Sequence, residues 1–135
     1  ALQTAGEMGI RRKMILPFER SKFRSISVTD VPGGNWGNLF DSICDELETT
    51  NDIVVMDSEE DMTVAFAKAN DEILDQAKKV LDSYATMPDS HAHPRSIKAL
   101  LVWDGKAKSH EDATHHFSLL ARDRGIEVDE ILTVY

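Results

Sequence analysis

An α/β fold with a mostly parallel sheet, about four strands and three main helices, is predicted by three observations. Short apolar runs recur as "KMILPF", "DIVVMD" and "IKALLVWD" (residues 13–18, 52–57 and 97–104), each too short for a helix and closed by a proline or an acidic residue. Between them, apolar residues fall three and four apart, the spacing of one helical face. Strand and helix then alternate to the end of the chain, the signature of parallel strands joined by right-handed crossover helices.

Each element follows in order. "ALQTAGEMGI" opens the chain and reads as a helix already under way. "KMILPF" is the first strand, read as buried on both faces and stopped at Pro17. Residues 19–37 show no sustained period; a long loop is expected there, with one helical turn at Glu19 to Phe23 and a turn at Pro32 to Gly34 that feeds the next helix behind an Asn35 cap. Trp36, Leu39, Phe40, Ile43, Cys44 and Leu47 mark that helix as one continuous stripe. "DIVVMD" is the second buried strand. Met62, Phe66, Ala69, Ile73, Ala77, Val80 and Leu81 carry the longest helix, from about Asp61 to Tyr84. A polar, proline-punctuated loop leads to the third strand, "IKALLVWD", and a third main helix spans about Ala113 to Arg124, with Gly125 where a left-handed residue ends it. "VDEILTVY" is the fourth strand.

In a parallel sheet the C-terminal strand ends share one edge, and ligands bind in the crevice there. That edge is expected to carry Pro17 and Phe18, Met56 and Asp57, and Trp103, Asp104 and Gly105.

At 135 residues the chain is expected to form a single domain around one core. A formal net charge of −9 argues against binding nucleic acid or anionic membrane, since both require a basic face. Its basic residues are nonetheless concentrated: Arg11, Arg12, Lys13, Arg20, Lys22 and Arg24 stand against Glu19 alone. Two readings are open for that stretch, a solvated surface and an anion-binding rim. No apolar run nears the roughly 20 residues that span a bilayer, and no signal peptide opens the chain, so a soluble cytoplasmic protein is expected. Cys44, the one cysteine, falls on a helical stripe and reads as core packing.

"VPGGNWG" lacks the Lys-Ser/Thr pair of a phosphate loop and the third glycine of a dinucleotide fingerprint. His91, His93, His110, His115 and His116 match no familiar zinc spacing; adjacent helical residues point about 100° apart, so only one of His115 and His116 would face a given ligand. No G-x-S-x-G elbow supports a hydrolase. The start of the helix near Thr114 offers backbone N–H groups for an anion, or for the carboxylates of Glu111 and Asp112 as caps.

Taken in order, "KMILPFERSKFRSISV", "NWGNLFDSICDEL", "FAKANDEILDQA" and "ALLVWDGK", followed by a Thr-led helix and "RDRGIEVDEI", resemble the SLOG superfamily, relatives of the Smf/DprA and LOG (lysine decarboxylase-like) proteins. The similarity is to the domains of that type fused to bacterial signalling proteins. It implies a Rossmann-like three-layer fold of which this chain, over residues 1–135, lacks the N-terminal part, leaving a sheet edge through which copies would associate. In that family a "PGGxGTxxE" motif serves phosphate binding and N-glycosidic cleavage. Here "SHEDATHHF" takes its place: Thr114 matches the threonine, Asp112 and Ala113 replace glycines, and Phe117 stands at the glutamate position. Without that carboxylate the resemblance implies a noncatalytic domain that senses or binds a nucleotide-derived small molecule within a larger signalling protein; no cofactor is expected, and the histidine spacings give no metal. The alternatives are a protein-interaction module with a lost pocket, and a nucleotide N-glycosidase or phosphoribohydrolase using Asp57 or Asp104.

The expected ligand residues are Pro17, Phe18 and Trp103 as apolar walls, Asn70 toward a base or sugar, Asp104 and Gly105 toward a ribose, Thr114 toward a phosphate, and Arg20, Lys22 or Arg24 to neutralise it. Each has a plainer alternative: Phe18 and Trp103 as core, Asn70 as a satisfied polar residue, Asp104 as a turn residue.

Overall fold

A computed structural model of the chain describes residues 1–29, 33–56, 61–87, 96–106 and 112–133. The described residues form a mixed α/β structure of five helices and four strands, the strands paired in two small parallel sheets. They divide into two compact units, Ala1–Glu60 and Asp61–Tyr135. Pro32, Asp57, His91, His93, His110 and Glu111, singled out in the sequence, lie outside the described residues.

The first unit comprises α1 (Leu2–Glu7), β1 (Met14–Leu16), α2 (Arg20–Ser27), α3 (Trp36–Thr49) and β2 (Ile53–Val55). β1 and β2 pair in parallel, Met14 opposite Ile53 and Leu16 opposite Val55. The α3 stripe is the one its spacing predicts: Cys44 and Leu47 are fully inside, Leu39, Phe40 and Ile43 half-buried, and only the leading Trp36 is largely exposed. The Cys44 thiol lies 3.9 Å from the Met14 sulfur, and burial pushes its pKa up, against the opposing pull of Arg20. α3 ends in a Schellman motif, with the N–H of Asp52 on the Leu47 carbonyl and the N–H of Asn51 on that of Glu48. Asn51 sits at φ 57°, a left-handed conformation that asparagine tolerates better than most residues.

Two expectations need correction here. α2 is longer than the single turn at Glu19 to Phe23, because ion pairs to α3 described below stabilise it through Ser27. Nor is β2 buried on both faces: Ile53 and Val54 are half-buried and Val55 is exposed. A continuous apolar run looks the same whether one or both faces are covered.

The second unit comprises α4 (Met62–Ala85), β3 (Lys98–Trp103), α5 (Ala113–Asp123) and β4 (Glu127–Leu132). α4 runs 24 residues from Asp61, whose carboxylate accepts the Thr63 N–H as a cap. β3 and β4 pair in parallel from Lys98–Glu127 to Trp103–Leu132. β3 alternates: Ala99 and Leu101 are buried, Leu100 and Val102 exposed. The buried side meets Leu74 of α4 and Ala121 of α5, with Trp103, Phe117, Leu120, Ile126 and Val128 packed around them. α5 ends as its glycine predicts, with Gly125 at φ 72° and the N–H of Ile126 on the Ala121 carbonyl.

No described helix is long and apolar enough to cross a membrane.

Candidate functional site

The basic stretch of the first unit is engaged with carboxylates. Asp41, Asp45 and Glu48 recur at i, i+4 and i+7 on α3, and so form one acidic row. Arg20 of α2 places Nη1 2.8 Å from Asp45 and 3.0 Å from Glu48, while its Nη2 donates to the Asp41 carbonyl at 3.0 Å. The hydrogen bond to Asp45 raises the pKa of Arg20 further; burial opposes this, and Glu48 adds to it. Arg24 Nε meets both oxygens of Asp41, at 3.0 and 2.8 Å. Its guanidinium passes close to Gly37, where a Cβ would stand 2.6 Å from Nη2, so glycine makes room for it. Arg12 pairs with Glu46 at 2.6 Å, and Arg11 with the buried Asp52 at 3.0 Å. Arg20 and Arg24 therefore come together on α2, but around Asp41; a phosphate would have to displace carboxylates to reach them.

Phe18 is a core residue, 1 % exposed, with Lys22 Nζ 4.4 Å above its ring, and Pro17 is buried beside it. A cavity of this unit, about 390 Å³, is lined by Met14, Val28, Trp36, Leu39 and Phe40 among others, with Ser27 as its one hydroxyl-bearing residue.

The second unit holds the more informative site. A groove of about 420 Å³ runs between α4, α5 and β3. Asn70 and Ile73, three apart on α4, form one side; Ala113, Thr114 and Phe117, spaced along the first turns of α5, form another; Leu100, Leu101 and Val102 form the floor.

Asn70 is 8 % exposed, on the same buried stripe as Ala65, Ala69 and Leu74. Its Nδ2 donates to the Ala113 carbonyl at 2.9 Å and meets His116 Nδ1 at 3.1 Å. With His116 Nδ1 as acceptor both amide hydrogens are used, a role that the imidazole tautomer sets. Asn70 Oδ1 has no partner among the described residues. No described side-chain oxygen or nitrogen is both fully buried and unpartnered, so Oδ1 is not fully enclosed, and Asn70 is among the residues that line the groove.

Asp112 closes the N-terminus of α5. Its Oδ1 accepts from the N–H of Thr114 at 3.0 Å and of His115 at 3.1 Å. The capping role weighed for Asp112 is thus observed, and the Thr114 backbone N–H is occupied while its side chain still lines the groove.

Trp103, Asp104 and Gly105 sit at the end of β3 outside the described groove lining. Trp103 packs on the core, donates Nε1 to Glu130 at 3.2 Å and stacks on His115 with centroids 6.2 Å apart. Asp104 Oδ1 accepts the Lys106 N–H at 3.1 Å, and Gly105 takes φ 74° with Leu132 close by, both features of a turn. Of the residues expected at the site, Asn70 and Thr114 therefore share one groove. Ile73 and Ala113, which line the groove, were not among the expected ligand residues, although they stand three from Asn70 and four from Phe117 on their helices; His116, which meets Asn70, was not expected either. His115 and His116 diverge as adjacent helical residues do, one to Trp103 and one to Asn70. Among the described residues no cluster of three metal-binding side chains occurs.

No protein-family model, curated protein or solved structure matches the chain.

Proposed function

We propose that this chain is a noncatalytic small-molecule-binding domain of the SLOG type, and that the groove of its second unit holds a nucleotide-like ligand on behalf of a larger signalling protein. The observation that carries the reading is Asn70: a residue 8 % exposed, held by Ala113 and His116, that lines an otherwise largely apolar groove and keeps one carbonyl oxygen without a partner among the described residues. Ligand sites are commonly apolar clefts of this size with a few fixed polar groups. Ile73, Leu101 and Phe117 would enclose an apolar ring, and Thr114 would add a hydroxyl. The noncatalytic assignment rests on the lining, which has no carboxylate among its described residues; Phe117 stands where the family motif has glutamate.

A Rossmann-like three-layer arrangement over residues 1–135 belongs to the same proposal, supported by the parallel pairing within each of the two sheets. So does self-association through a sheet edge, for which the support is that among the described strands β3 and β4 pair only with each other.

A second reading, a protein-interaction module whose phosphate cradle has been filled, is favoured by the Asp112 carboxylate folded over the start of α5. The groove beside it favours the first. Titration calorimetry of the chain with a panel of nucleosides and nucleotides distinguishes them: saturable heat, weakened by Phe117→Ala, supports a ligand domain, and no heat from any member supports the interaction module.

A further inference from the structure

We infer that the groove selects a non-anionic ligand that presents an N–H or O–H donor on an apolar body, and that it turns away phosphates and carboxylates. The inference rests on the reading of the groove as a ligand site and narrows the nucleotide-like class to its uncharged, nucleoside-like members.

Three features set that class. First, the Asn70 amide has a fixed orientation. Rotating it by 180° would set Oδ1 against the Ala113 carbonyl, two acceptors face to face, and would leave that part-buried carbonyl without its donor. The groove consequently presents an acceptor at that point and asks for a donor. Second, the backbone N–H groups that would otherwise attract an anion at the start of α5, those of Thr114 and His115, are bonded to Asp112. An anion in the groove would lie beside Ala113 and Thr114, next in sequence to that carboxylate, and would be repelled by it. Third, the described lining contains no lysine or arginine to compensate; the arginines of α2 are held by Asp41, Asp45 and Glu48. Thr114 Oγ1 is the one further polar side-chain group among the described lining residues, and a hydroxyl serves donor and acceptor alike.

The test compares matched pairs that differ in charge and donor: benzamide with benzoate, and adenosine with adenosine monophosphate. Each is titrated into the ¹⁵N-labelled full chain and followed on the Asn70 side-chain amide and the Thr114 and Phe117 backbone signals. Benzamide and adenosine are expected to move these signals saturably, and each anion to bind at least about tenfold more weakly than its partner. Asp112→Ala should narrow the gap by about threefold or more, by removing the charge and freeing two N–H groups. Asn70→Ala should weaken the neutral probes by about three- to tenfold; if that variant does not fold, Thr114→Val, which keeps shape and removes the hydroxyl, should weaken them by about threefold. Anions binding as tightly as their neutral partners would overturn the inference and leave the ligand reading standing. Silence from all four probes would overturn both.

Discussion

The two units handle polar side chains in opposite ways. In the first, four arginines of one short stretch face the carboxylates of Asp41, Asp45, Glu46, Glu48 and Asp52, so a segment that looks anion-seeking in sequence is neutralised internally. In the second, one neutral amide has its donors fully used and its acceptor left over beside a groove. The lesson is that charge density is a poor guide to a binding site: the arginines are satisfied by the fold, while the uncharged Asn70 is not.

Asn70→Asp should break the contrast most severely. A carboxylate would set an oxygen against the Ala113 carbonyl where the amide donated, and chemical denaturation should show a loss of about 1–3 kcal/mol. A loss below about 0.5 kcal/mol would mean that the amide is not held as described.

Arg20→Ala tests the first unit. It removes the hub between Asp41, Asp45 and Glu48 and leaves three like charges along one helical row, for a cost of about 1 kcal/mol. Arg20→Lys should recover only part, since an ammonium cannot span those positions as a guanidinium does. Full recovery by lysine would reduce the network to bulk charge.

The extent to which the sequence disclosed this arrangement follows from the range of the interactions concerned. Helical periodicity is local, so the Trp36 stripe and the long α4 stripe placed their helices to within a residue or two, and Gly125 marked the end of α5. α2 was under-read because its length depends on α3, 17 residues away at the Arg24–Asp41 pair. The burial of β2 was over-read because an apolar run does not say what covers it. At the site, Asn70 and Thr114 were legible as polar residues on helices facing a strand edge. Asn70's partner His116 was not, since it is 46 residues distant. Phe18 and Trp103 took the plainer of their two roles, as packing residues.

Acid should sharpen the comparison further. The Arg11 hydrogen bond, aided by the Thr50 hydroxyl, holds the Asp52 carboxyl below its ordinary range. A lowered native pKa stabilises the fold above the unfolded value of about 3.9 and loses that contribution as pH falls through the native one. Melting curves of wild type and Asp52→Asn should therefore differ above about pH 4 and converge below it. A gap that persists unchanged into acid would assign Asp52 a role independent of its charge. The smallest effect is expected at Lys78, whose exposed i,i+4 pair with Asp82 should be worth about 0.3 kcal/mol when removed by Lys78→Ala; a loss above about 1 kcal/mol would show that exposed pairs carry more of the second unit than this account allows.

The most direct test of the groove is a titration of the full ¹⁵N-labelled chain with adenosine, read on every assigned signal. The account predicts saturable movement of the Asn70 side-chain amide together with Thr114 and Phe117, and no comparable movement at Arg20, Arg24 or Phe18. Unmoved Asn70 signals at saturating adenosine, or movement confined to residues 1–60, would contradict it.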